Sequence, residues 1–188
     1  MEENYIESVI KQFRFYKSLG EKTFAQLNDD QLLWEPVEDI NSIAVIVNHM
    51  WGNMKSRWTD FLTSDGEKEW RNRDEEFENV IETREELTRK WEEGWECVFE
   101  ALAGINPTNF DKIIYIRNIG HSIPEAVNRQ LGHYAYHVGQ IVFLGKILKG
   151  KDWTTLSIPK GESKAYNAKK FAKDKHRGHF TEEFLDEK

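Results

Sequence analysis

Hydrophobic residues recur at steps of three and four positions in four long segments of the chain, a spacing that predicts amphipathic α-helices. The four predicted helices cover about residues 4–27, 43–62, 84–102 and 123–148. Long amphipathic helices bury their apolar faces most simply by packing together. The pattern therefore predicts an all-α fold, a four-helix bundle with a C-terminal extension.

Helix-capping side chains stand directly before the last three predicted helices, at Asn41 or Ser42 for the second, Thr83 for the third and Ser122 for the fourth. Thr83 and Ser122 are each followed three residues later by a glutamate, as in a capping box. Gly150 follows the last helix, and glycine is common at helix ends. These signals support the predicted boundaries.

The segments between the helices give weaker predictions. A short helical turn after the break at residues 28–30 is expected to end at Trp34–Pro36. Residues 63–82 are charged and carry isolated Trp70 and Phe77, which predicts a surface loop. The β-branched run 111–117 is expected to be extended, as one half of a hairpin whose partner strand is not evident.

The chain is expected to divide near Gly150. Residues 1–150 form the predicted bundle, and residues 151–188 form an extension that becomes a loose tail after a weak helical pattern at 165–173. The length suits one bundle with a sizeable core.

Composition narrows the class of protein. The 188 residues carry a formal net charge of −7, which argues against a nucleic-acid partner. No apolar run approaches the roughly 20 residues that span a bilayer, and no basic, apolar leader is visible. We therefore expect a cytoplasmic protein without a membrane partner. Cys97 is the single cysteine, so a zinc site built from cysteines is excluded. We interpret it as an inert core residue.

Three histidines carry the candidate chemistry. His133 and His137 are four residues apart, which places them one turn apart on one helix face. His49 lies in the apolar run 43–51 of the second predicted helix. If the two helices face each other, three imidazoles converge. Three protein ligands with a free fourth position are typical of catalytic metal sites.

Each histidine also has a plainer interpretation. A histidine pair on a helix is often a polar patch at an interface, and a single inward histidine is often a hydrogen-bonded core residue. Three inward histidines nevertheless need partners, because burying an unpaired polar group costs a few kcal/mol. His121, His176 and His179 are expected to be solvent-exposed. A di-iron carboxylate site is disfavoured, because Gln130 and Tyr134 stand where its glutamates would precede the two histidines.

The chain resembles the DinB/YfiT-like superfamily of metal-binding four-helix bundles. Residues 42–51 resemble its second-helix signature, and the run from His133 through His137 to the Gly-Gln pair resembles its fourth-helix signature. The resemblance covers about residues 4–150. Residues 153–167, with the segment Leu-Ser-Ile-Pro-Lys-Gly-Glu-Ser, look like the tail of an uncharacterised branch of that superfamily.

The resemblance implies one divalent metal ion held by His49, His133 and His137. Nickel or zinc is expected first, with iron or manganese as alternatives. It also implies a homodimer, and relatives that include thiol S-transferases using bacillithiol or mycothiol and a mycothiol-dependent isomerase. Many relatives carry a histidine just before the second helix-four ligand and an arginine just after it, where this chain has Tyr136 and Val138.

Three functions follow as hypotheses. The first is metal-dependent transfer of a small thiol to an electrophile. Gln140 and Asn53, one turn from His137 and His49, would then contact the metal ligands or the substrate, or else be exposed polar residues. Trp51 and Tyr134 would wall the pocket in that case, or else pack in the core. The second is metal-assisted hydrolysis, which normally needs a carboxylate base, and Glu125 is too far along the helix. The third is a non-catalytic metal-binding or stress-response interaction protein.

Overall fold

A computed structural model describes residues 2–35, 37 and 40–185 of the chain. These residues are predominantly helical and include one antiparallel pair of strands. The helices are α1 Glu2–Phe24, α2 Asp29–Leu33, α3 Ile43–Trp58, α4 Arg84–Ala103, α5 Ile123–Lys149, α6 Ser163–Phe171 and α7 Glu182–Leu185, and the strands are β1 Ile113–Ile116 and β2 Ile119–Ser122. Among the described residues, no helix combines the length and apolarity needed to cross a membrane.

The four long helices are those that the hydrophobic spacing predicts. α1 packs against α4 and α5, and α3 packs against the same two helices. A continuous core lies between them and includes fully buried Phe13, Trp95, Tyr134 and Ile141. The arrangement brings α3 and α5 face to face, which is the condition for their histidines to converge.

The predicted capping residues act at the ends of the long helices. Ser42 accepts a hydrogen bond from the backbone N–H of Val45, and Thr83 accepts one from that of Glu86. Ser122 and Glu125 form the full capping box at the start of α5. α3 ends four residues before the predicted 62, because Thr59 is extended and Asp60 has a positive φ of 48°. α2 ends at Leu33, and Pro36 lies outside the described residues.

The hairpin partner that the sequence does not identify is β2, directly before α5. Strand β1 pairs antiparallel with it, from Ile113 opposite Ser122 to Ile116 opposite Ile119. Arg117 and Asn118 connect the strands with positive φ values of 54° and 60°, as in a two-residue type I′ turn.

The C-terminal residues contact the long helices more closely than a loose tail would. α6 covers most of the predicted weak helix, and α7 packs on α1. Lys22 donates a hydrogen bond to the Phe184 carbonyl, and the Phe184 ring lies 5.5 Å from that of Phe15. Aromatic residues of the tail therefore pack against α1. The charged composition of the tail does not predict this contact.

Candidate metal centre

His49 of α3 and His133 and His137 of α5 form one cluster on the inner faces of their helices. The Nε2 atom of His133 lies 3.4 Å from that of His49 and 3.1 Å from that of His137. One ligand atom from each histidine lies within 4.8 Å of the other two. His49 and His137 are buried, and His133 is half-buried. The three histidines are thus close enough to hold one metal ion.

Hydrogen bonds at Nδ1 orient two of the three rings. His49 Nδ1 lies 2.9 Å from Glu76 Oε2, and His137 Nδ1 lies 3.0 Å from Gln140 Oε1. Both partners are acceptors, so each Nδ1 carries the proton and each Nε2 keeps a free lone pair. Metal-binding histidines are commonly oriented in this way. Gln140 therefore contacts His137, one of the three predicted metal-binding histidines.

The environment keeps the ring of His133 and that of His137 neutral at physiological pH. Burial, then the neighbouring histidines and two arginines, lower the pKa of His133 to about 3. Burial and the adjacent His49 lower the pKa of His137 to about 4, against the opposing hydrogen bond to Gln140. Neutral imidazole is the form that binds metals.

The donor set fits a divalent metal ion. Two nitrogens bound tetrahedrally at about 2.0–2.1 Å from zinc would lie about 3.3 Å apart, close to the separations between His133 and its two neighbours. His133 Nδ1 is buried and has no hydrogen-bond partner among the described residues. Without an ion, the three Nε2 atoms carry at most one proton among them, because His49 and His137 are protonated at Nδ1. At least two lone pairs then face each other, and a cation bound between them would satisfy them.

Glu76 is the site residue that sequence reasoning misses. It lies in the segment predicted to be a surface loop, yet a 3₁₀ turn at residues 75–77 places its side chain against His49. Arg71 holds its two carboxylate oxygens at 2.7 and 2.8 Å. Burial raises the pKa of Glu76, but the hydrogen bonds from His49 and Arg71 outweigh it and lower that pKa. Phe77 stacks on the His49 ring, with the two ring centroids 4.6 Å apart.

The surface-loop prediction for residues 63–82 is therefore wrong for its middle part. The side chains of Arg71 and Glu76 are only 2% and 6% exposed. Their charges compensate each other, which allows burial of residues that composition alone places in solvent. Phe77 is the residue of this segment that signals burial, since its ring stacks on that of His49, whereas Trp70 is 60% exposed.

A cavity of about 360 Å³ lies over the histidine cluster. All three histidines line it, together with Asn53 and Tyr136. Tyr136 is exposed, and its ring centroid lies 5.0 Å from that of His137. Of the two positions at which this chain departs from many relatives, Tyr136 therefore faces the cavity, whereas Val138 is buried in the core.

The remaining predicted residues lie near the site without contacting the histidines' ring nitrogens. Asn53 Oδ1 accepts hydrogen bonds from Gln130 and from the Tyr134 hydroxyl, at 2.7 and 3.2 Å. Tyr134 is fully buried, so its core interpretation is correct. Trp51 lines a different cavity, where its indole N–H donates to Glu93. These three side chains support the helices that carry the ligands.

Cys97 and the remaining three histidines lie outside the cluster. Cys97 is buried, and burial raises the pKa of its thiol, which fits an inert core residue. His176 is exposed as expected, but His121 and His179 are half-buried. His179 is held because its Nε2 lies 3.1 Å from the hydroxyl oxygen of Ser8 on α1. None of these residues belongs to the three-histidine cluster.

Comparisons with known proteins place the chain in a family. Neither a comparison with curated proteins nor one with solved structures gives a match. The model of the family described as "Protein of unknown function (DUF1572)" matches residues 1–162. The match spans the four long helices, all three histidines and Glu76. The chain therefore belongs to the DUF1572 family.

Proposed function

We propose that this chain is a metal-dependent transferase of the DinB/YfiT-like superfamily, built as a four-helix bundle. Its substrates would be a low-molecular-weight thiol, of the bacillithiol type, and an electrophile. The observation that carries the proposal is the cluster of three histidine Nε2 atoms beside a cavity. Three histidine ligands leave a position for a further ligand, as in catalytic zinc sites.

His49, His133 and His137 would hold the ion, with nickel or zinc as the metal. When bound, the ion supplies positive charge that favours the thiolate form of a thiol in the open position. Glu76 and Gln140 hold the rings of His49 and His137 through Nδ1, which leaves the Nε2 lone pairs of both rings free for the ion. The cavity volume is within the range of small-molecule sites, which supports a substrate over an ion alone.

Transfer is favoured over hydrolysis because the described part of the cavity wall offers no free carboxylate base. No carboxylate occurs among the described residues that line the cavity. Glu76 has both oxygens engaged by Arg71 and His49, and Glu125 caps the start of α5. A thiol brings its own nucleophilic sulfur and needs less help from a base than water does.

The test is a transfer assay with metal-loaded protein, bacillithiol and a chromogenic electrophile. We expect acceleration over the uncatalysed reaction, lost in His133→Ala and kept in the matched variant His176→Ala at an exposed histidine. A loaded wild-type site that gives no acceleration would contradict the transferase and leave a non-catalytic metal-binding protein as the second candidate. The homodimer stays a prediction of the resemblance to the DinB/YfiT-like superfamily, and the cytoplasmic location stays a prediction from the sequence.

A further inference from the structure

The wall of the cavity above the histidines is rich in arginine. Four segments of the chain contribute guanidinium groups to it: α3, the segment before the 3₁₀ turn, the turn of the hairpin, and α5. The arginines that line the cavity are Arg57, Arg71, Arg73, Arg117 and Arg129. In a chain with a net charge of −7, this is a local concentration of positive charge.

Three carboxylates neutralise part of this charge. Glu67 pairs with Arg57, Arg71 and Arg117 at 3.0–3.2 Å. Glu76 pairs with Arg71 at 2.7 Å. A third carboxylate, that of Asp65, accepts the backbone N–H of Arg117 beside them. Five guanidinium groups against three carboxylates leave an excess of two positive charges around the cavity, before any metal ion is counted.

Arg73 and Arg129 carry the uncompensated charge. Neither has a carboxylate within 4.0 Å in the part of the chain that the structure describes, whereas the other three arginines do. Arg73 is placed by stacking 5.2 Å over the Phe77 ring, which itself stacks on His49. Arg129 stands four residues before His133 on α5, so the two share one helix face.

A buried donor beside the cavity points the same way. The Arg57 side chain is only 5% exposed, and its Nη1 donates to Glu67 and to the Gly66 carbonyl. Its Nε is buried and has no hydrogen-bond partner among the described residues. An unsatisfied buried donor in a cationic wall is costly unless an acceptor is supplied there.

We propose that the cavity binds an anionic group of its ligand at Arg73 and Arg129, next to the open position of the histidine cluster. Guanidinium groups bind the planar fork of a carboxylate or the oxygens of a phosphate through paired hydrogen bonds. The inference rests on the proposed function in one respect, since it makes the thiol or its acceptor an anionic molecule. A thiol and an electrophile that both lack an anionic group are then expected to be poor substrates.

Calorimetric titration of zinc-loaded protein with succinate and with inorganic phosphate tests the subsite. The two probes separate a carboxylate site from a phosphate site. We expect Arg73→Gln and Arg129→Gln each to weaken the preferred anion about tenfold, and the double variant about a hundredfold. Arg14→Gln removes the same charge from exposed α1, outside the cavity lining, and is expected to leave binding unchanged.

Equal affinity in the double variant and the wild type would overturn the subsite. So would binding that disappears when zinc is removed but is insensitive to both arginines, since the anion would then bind the metal alone. Zinc content measured in the same samples separates this test from that of the proposed function. Anion binding that depends on the two arginines, without thiol transfer, would support the subsite and contradict the transferase. Thiol transfer together with anion binding that does not depend on them would support the transferase and contradict the subsite.

Discussion

At the scale of single residues, the three imidazoles differ in how firmly they are held. Glu76 and Gln140 hold His49 and His137 through Nδ1, whereas His133 Nδ1 has no partner among the described residues. Glu76 is itself held by Arg71. The position of His49 therefore depends on a charged pair that is 22 to 27 residues further along the chain.

Replacing Glu76 tests this support. Glu76→Gln keeps the side-chain shape but removes the charge that pairs with Arg71 and stabilises the proton on His49 Nδ1. We expect zinc affinity, measured by competition with a chelator, to fall about 10- to 100-fold. The exposed neighbour Glu75 provides the control, and Glu75→Gln should bind zinc as the wild type does. Unchanged affinity in Glu76→Gln would remove the carboxylate from the metal site.

The lowered pKa values of His133 and His137 predict a pH dependence of stability in the metal-free protein. Both histidines take up a proton near pH 6.5 when unfolded, but only near pH 3 and 4 when folded. The unfolded state binds more protons in between, so stability is full above pH 6.5 and falls as the pH is lowered. Solvent access at the cavity reduces the effect to about 3 kcal/mol between pH 7 and 4.5.

Urea unfolding at several pH values measures this dependence. Carboxylates also contribute to acid unfolding, so the informative quantity is the difference from the double variant His133→Asn/His137→Asn. That variant should lose less stability between pH 7 and 4.5. Parallel pH profiles for the two proteins would show that the folded histidines titrate normally.

The histidine triad could be predicted from the sequence, but Glu76 could not. The spacing of His133 and His137 on one helix is a local property, and His49 lies within an apolar run of another helix. Glu76 comes from a charged segment without regular spacing, and only its contacts with Arg71 and with α3 bury it. Such compensation between distant charges leaves no periodic signal.

At the scale of elements, α3 and the 3₁₀ turn approach closely at Gly52, where an added side chain would collide with Glu76. A Cβ atom added to Gly52 would lie 2.3 Å from Glu76 Oε1 and 2.7 Å from its carboxyl carbon. Glu76 is fixed at that place by Arg71 and His49, so it cannot move away without breaking those bonds. Glycine at this helix position is therefore a packing requirement of the site.

Gly52→Ala should consequently displace Glu76 and weaken metal binding. We expect a zinc affinity at least tenfold lower, with the helix content of the circular dichroism spectrum unchanged, because alanine favours the helix itself. Gly139→Ala in α5 is the matched control, since its added Cβ meets no atom within 4 Å. Equal zinc binding in both variants would mean that the 3₁₀ turn yields easily and that Glu76 does not position His49.

The helices and their caps follow from sequence because they depend on local spacing, but the hairpin follows only in part. Arg117 is an unusual residue at a positive φ, so the turn lacks the common Asn-Gly signal. The Asp65 carboxylate instead accepts the backbone N–H groups of Arg117 and Asn118, at 2.8 and 2.9 Å. A residue some 50 positions earlier thus stabilises the turn, and no local pattern reveals it.

At the scale of the whole molecule, the candidate metal ion would join α3 to α5, two helices separated by more than 60 residues. An ion that binds the folded chain stabilises it by mass action, by about 2.7 kcal/mol at a free concentration 100 times the Kd. For a chain of this length, that corresponds to a rise in melting temperature of about 5–10 °C. His133→Ala should show no such rise with zinc, and an identical shift in that variant would place zinc elsewhere, for example on the tail histidines.

The central claim is that His49, His133 and His137 hold one metal ion. Elemental analysis of protein purified without added metal and without an affinity tag that binds metal tests it most directly, with His133→Ala purified in parallel. We expect about one equivalent of nickel or zinc per chain in the wild type and well under a tenth of that in His133→Ala. Wild-type protein without stoichiometric metal, or equal metal in the two proteins, would contradict it.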